Sequence, residues 1–66
     1  MKKRSVTLKG HRTSISLEPE FWSGLEAIAA KRRSSVQKLV EEIDLGRGNA
    51  NLSSALRVFV LKQANA

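Results

Sequence analysis

The sequence predicts a small α+β fold, mostly helical, with one short strand near the front followed by three helices. Three observations carry this expectation: a period-2 alternation over residues 12–17, three later blocks of apolar residues at helical spacing, and cap or turn residues between those blocks. With 66 residues the chain makes one domain. A chain this short buries only about 60% of its unfolded surface, so a lone copy has little core. It has no cysteine, which excludes disulfides and thiolate zinc sites as staples and fits a reducing cytoplasm. Oligomerisation is the remaining device, and the sequence predicts a homodimer.

Residues 1–11 read as a basic N-terminal arm. Lys2, Lys3, Arg4 and Lys9, with Arg12 just beyond, all precede Glu18, the first acidic residue, and supply most of the net charge of +6. Such a segment attracts phosphate polyanions, anionic lipid heads or acidic protein surfaces. After Met1 and these basic residues no apolar run long enough for a signal peptide follows. No uninterrupted apolar run is longer than that of Val58 to Leu61, which is far too short to span a membrane, and a soluble cytoplasmic protein without membrane contact is expected.

The domain proper is expected over residues 12–66. In the strand, 12–17, Thr13, Ile15 and Leu17 share one face, and Arg12, Ser14 and Ser16 share the other. Ser5 to Leu8 also alternates, but Val6 and Leu8 have the opposite parity from Ile15 and Leu17. Lys9-Gly10 must therefore bend, bulge or break the strand. Pro19, with Glu18 and Glu20 beside it, starts a helix over about 19–33, in which Phe21, Leu25 and Ile28 recur on one face. Ser34 and Ser35 offer caps for a second helix, 35–45, with Val36, Leu39, Val40 and Ile43 inside and Gly46-Arg47-Gly48-Asn49 ending it. Asn51 can cap a third, 52–63, which is apolar nearly all round and is expected at the centre of a dimer.

One strand followed by helices, with a basic front and little core, resembles the ribbon-helix-helix superfamily, which includes the Arc and MetJ repressors. The local resemblance is to short bacterial members. It rests on Gly10-His11-Arg12-Thr13-Ser14-Ile15-Ser16-Leu17-Glu18-Pro19-Glu20-Phe21-Trp22 and on Asn51-Leu52-Ser53-Ser54-Ala55-Leu56-Arg57-Val58-Phe59-Val60-Leu61. The resemblance implies one N-terminal strand per chain, paired in a dimer to form a ribbon that enters the DNA major groove. It places Arg12, Ser14 and Ser16 against the bases and points Ile15 and Leu17 into the dimer core, which should also hold Phe21, Leu25, Leu56, Phe59 and Val60. The family's second helix clamps a phosphate with its N-terminal amides. Two starts compete for that role. Ser34-Ser35-Val36 lies at the usual distance from the strand but follows Arg33 where the family often has Gly. The stretch at Asn51 looks more like the family's helix start, though it comes late; it is preferred, and the helix at Ser35 is then an addition.

Chemistry supports this reading of the residues. The Arg12 guanidinium can bind guanine O6 and N7 with two hydrogen bonds, whereas Ser14 and Ser16 are too short to specify strongly. Lys2, Lys3, Arg4 and Lys9 suit phosphates, and His11 near the ribbon, with Asn51, Ser53 and Ser54 at the helix start, completes the expected phosphate contacts. His11 has no cysteine partner and makes neither a zinc site nor a dyad, and Trp22 and Phe21 read as core rather than as stacking platforms. The acids Glu41, Glu42 and Asp44 lack metal-site spacing, and no Gly-rich phosphate loop or nucleophile–base pair occurs. No enzyme activity, cofactor or metal is expected. The expected function is that of a sequence-specific DNA-binding protein, a transcriptional repressor partnered by double-stranded DNA. The alternative is a protein-interaction module, antitoxin-like or a phage adaptor, docking through the apolar third helix; such a module has no need of Arg12 or of the basic front.

Overall fold

The structure is a computed structural model that describes residues 1–64. Its element order is β1 (Lys2–Leu8), β2 (His11–Leu17), α1 (Pro19–Lys31), α2 (Val36–Gly46) and α3 (Leu52–Ala64). This is an α+β arrangement, a two-stranded ribbon followed by three helices, with the expected extra helix among them, and it departs from expectation at the front. Residues 2–8 are not an arm but a second strand, antiparallel to β2.

The cause lies in the turn. Lys9 and Gly10 have φ of 52° and 80°, the left-handed pair that a two-residue hairpin turn requires because its twist matches that of the strands. A two-residue loop pairs Leu8 with His11 and, further back, Val6 with Thr13, Arg4 with Ile15 and Lys2 with Leu17. Every pair joins an even-numbered to an odd-numbered residue, and directly opposed residues share a face. The opposed parity of Val6 and Ile15 is thus what a hairpin of this loop length demands. The chain supplies two strands where one was expected.

Helix α1 begins at Pro19, whose missing N–H costs nothing in the first turn, and ends in a tight reversal. The Ser34 N–H donates to the Ala29 carbonyl (2.8 Å) and the Arg33 N–H to that of Ala30 (3.1 Å), while Arg33 itself turns left-handed at φ 52°. The Ser35 Oγ then caps α2, accepting from the Lys38 N–H at 3.1 Å. Asn51 caps α3 in the same way, its Oδ1 accepting from the Ser54 N–H at 3.2 Å.

The core is assembled from all five elements: Val6, Ile15, Leu17, Trp22, Leu25, Ala29, Leu39, Val40 and Leu56 are buried together. Burying each of the larger side chains contributes about 1.5–3 kcal/mol. Trp22 is buried with its Nε1–H donating to the Lys2 carbonyl at 2.8 Å, so the indole both packs and ties β1 to α1. Of the residues expected in a dimer core, Ile15, Leu17, Leu25 and Leu56 are buried within the single chain, and Phe21, Phe59 and Val60 are half-buried. One chain covers more of its apolar surface than its length suggests, because β1 adds Val6 and both strands lie over the helices. Val58 and Leu61 stay 47% and 53% exposed, so α3 keeps an uncovered apolar side, and Leu45 near the end of α2 is 76% exposed.

Candidate nucleic-acid interface

The pleat of the hairpin sorts its side chains. Lys2, Arg4, Val6 and Leu8 lie opposite Leu17, Ile15, Thr13 and His11 on the face that packs toward the helices. Lys3, Ser5 and Thr7 lie opposite Ser16, Ser14 and Arg12 on the outer face. Arg12, Ser14 and the three β1 residues are exposed, and Ser16 is half-buried. The outer face is therefore wholly polar, carries Lys3 and Arg12 at opposite ends, and contains no acid.

The basic front divides accordingly. Lys3 shares the outer face with the three expected base readers, and Lys9 stands at the turn. Arg4 is engaged elsewhere: its guanidinium lies 4.8 Å over the Trp22 ring and 3.4 Å from the Glu26 carboxylate. Lys2 is exposed at the far end of the sheet, on the inner face by register.

Beside the turn, a cleft of about 570 Å³ brings Lys9, His11, Ser14, Asn51 and Ser53 together. Its one acid, Asp44, is paired with Arg47 at 2.7 Å, and Arg47 also lines the cleft. The N-terminus of α3 opens here, where unpaired helix amides favour an anion. Ser54 is not part of this arrangement; its backbone N–H is used by the Asn51 cap, and it lines a separate groove between α2 and α3. That groove, about 630 Å³, has Ile43, Ala55, Val58 and Phe59 in its wall, with Arg32 5.4 Å over the Phe59 ring.

The arrangement is a polar, acid-free two-stranded ribbon with a basic cleft at its tip and helix N-terminal amides beside it. The sequence matches the family model described as a ribbon-helix-helix domain over residues 1–64. The chain belongs to the ribbon-helix-helix domain family. The match takes in both strands and all three helices, so the extra strand and the extra helix lie inside the ribbon-helix-helix domain and not outside it. Membership points to DNA binding or a related regulatory role. No curated protein and no solved structure matches the chain.

Sequence reasoning missed three residues of the candidate interface. Ser5 and Thr7 were hidden by the reading of residues 1–11 as an arm; the parity of Val6 and Leu8 against Ile15 and Leu17, taken with a two-residue gap, would have found them. Arg47 joined the cleft through the loop between α2 and α3, for which the sequence carries no local signal.

Proposed function

We propose that the chain is a sequence-specific DNA-binding protein, a bacterial transcriptional repressor that acts in the cytoplasm as a homodimer and lays its ribbon in the major groove. The observation that supports this best is the outer face of the hairpin, where Arg12, Ser14 and Ser16 stand exposed or half-exposed beside Lys3 with no acid among them.

In a dimer the two β2 strands pair about a two-fold axis, so that both copies of Arg12, Ser14 and Ser16 occupy the middle of the sheet. Four strands at about 4.8 Å spacing reach roughly 14 Å, slightly wider than the major groove at about 12 Å. The β2 pair then faces the bases while the β1 strands fall at the rims, which suits Lys3 to phosphates. Lys9, His11, Asn51 and Ser53 hold a further phosphate at the cleft, aided by the N-terminal amides of α3. Lys2 adds charge at the sheet's end, Arg4 contributes chiefly by fixing β1 on Trp22, and Ser54 acts by supporting the cap.

The test is selection of bound duplexes from a random pool, followed by Arg12→Ala on the preferred and on a scrambled duplex. A base reader loses about 1–3 kcal/mol on the preferred site and far less on the scrambled one. Equal losses would move Arg12 among the phosphate contacts. A second reading, a protein-interaction module docking through α3, is favoured by one observation, the exposure of Val58 and Leu61 beside the α2–α3 groove. DNA-free protein that captures no duplex at low salt would support it.

A further inference from the structure

A two-stranded ribbon has two edges, and the structure treats them differently. In a hairpin closed by a two-residue turn, Leu8 and His11 form a hydrogen-bonded pair, and the pairs then alternate. Thr7–Arg12, Ser5–Ser14 and Lys3–Ser16 are the pairs that exchange no backbone hydrogen bonds. Their N–H and C=O groups point sideways, those of Lys3, Ser5 and Thr7 from the β1 edge and those of Arg12, Ser14 and Ser16 from the β2 edge.

On the β1 edge, Gln37 at the start of α2 holds Thr7 with both ends of its carboxamide. The Thr7 N–H donates to Gln37 Oε1 at 3.1 Å, and Gln37 Nε2 donates to the Thr7 carbonyl. A carboxamide carries the same donor and acceptor as a peptide group, so this contact reproduces what an added strand would make at that position. Among the described residues nothing equivalent meets the β2 edge, where Arg12, Ser14 and Ser16 have no hydrogen-bond partner for their outward backbone groups. An open edge of this kind is a template for another strand.

We propose that Gln37 selects the pairing edge of the ribbon: it closes β1 to strand addition, leaving the β2 edge as the surface on which a second copy of this chain adds. The occupant is a second copy because an antiparallel strand related by a two-fold axis is its own complement. In a register centred on Ser14, Arg12 meets Ser16, and all outer-face residues stay on one side. The inference rests on the dimeric reading above and adds to it the residue that prevents the dimer from growing. Without the clamp both edges are open, and strand pairing continues beyond two copies.

Ser5 and Ser14 provide matched probes. They oppose one another, and proline at either removes an outward N–H without removing a hairpin hydrogen bond. Sedimentation of the full chain at micromolar concentration should give a dimer for the wild type and for Ser5→Pro, and a monomer for Ser14→Pro. Gln37→Ala should form species heavier than a dimer, and Gln37→Ala with Ser5→Pro should return to a dimer. Amide exchange needs no edge variant: in the wild type the Arg12, Ser14 and Ser16 amides should be protected and those of Lys3 and Ser5 fast. The Thr7 amide should exchange about tenfold faster in Gln37→Ala. A wild type that sediments as a monomer overturns the dimeric reading itself. A dimeric wild type with Gln37→Ala equally dimeric and Thr7 exchange unchanged overturns the role of Gln37 alone, and a folded, dimeric Ser14→Pro moves the interface off the β2 edge.

Discussion

Arg33 ends α1 in a left-handed conformation, φ 52°, where the side chain crowds the backbone and glycine does not. The reversal that follows is held by the Ser34 and Arg33 amides and does not depend on the arginine head group. Arg33→Gly should therefore stabilise the protein by about 0.5–1 kcal/mol, the relief of strain exceeding the added freedom of the unfolded chain. A urea midpoint that falls on this substitution would show that the arginine side chain earns its place by some contact. Glu18 gives a residue-scale effect of pH. Its carboxylate accepts from Arg57 at 2.9 Å, and that hydrogen bond, with one from its own backbone, holds its pKa below the ordinary 4.5. A carboxyl whose pKa is lowered by folding adds stability above its unfolded pKa and loses it as pH falls through the folded value. The difference in melting temperature between wild type and Glu18→Gln should thus be largest at neutral pH and shrink as the pH drops below about 4.5. A difference unchanged by acid would remove the Arg57 pair from the account.

Between elements, α1 approaches α3 closely at Gly24. A Cβ built on Gly24 would stand 2.6 Å from Val60 Cγ1, and the branched valine has little freedom to move aside. Gly24→Ala gains up to about 1 kcal/mol of helix propensity but forces the helices apart, for a net loss of about 1–2 kcal/mol. Adding Val60→Ala should restore much of it, and thermal melts of the single and double variants test the coupling. The helices themselves could be read in the sequence because their signals are local: Pro19 at one start, Ser35 and Asn51 as caps, and apolar residues at helical spacing between. The hairpin could not be read so directly. Its evidence is a relation between Val6 and Ile15 across a turn whose first residue, Lys9, is an unusual choice for a left-handed position. The outer-face positions on β2 follow from alternation, and their proposed place against the bases from the family resemblance, whereas the company they keep on β1 follows from pairing. The cleft at the ribbon tip depends on where a loop between helices comes to rest, which no local pattern encodes.

For the molecule as a whole, the net charge of +6 is less informative than its division. Lys3 and Lys9 face outward, so replacing either by alanine should lower the log–log salt slope of DNA binding by up to about 0.9. Arg4→Ala should instead lower the melting temperature, through loss of its stack on Trp22 and its pair with Glu26, with the slope nearly unchanged. A salt series on the three variants separates these outcomes, and a slope that falls most for Arg4→Ala would reverse the assignment. The outer face of the hairpin has a wider consequence. Its six side chains contribute nothing to the buried core, since the buried strand residues, Val6, Ile15 and Leu17, all lie on the other face. On the proposed function, the letters a lineage would change to acquire a new target are thus separate from those it must keep in order to fold. A ribbon built this way can change its exposed face, one position at a time, without passing through an unfolded intermediate.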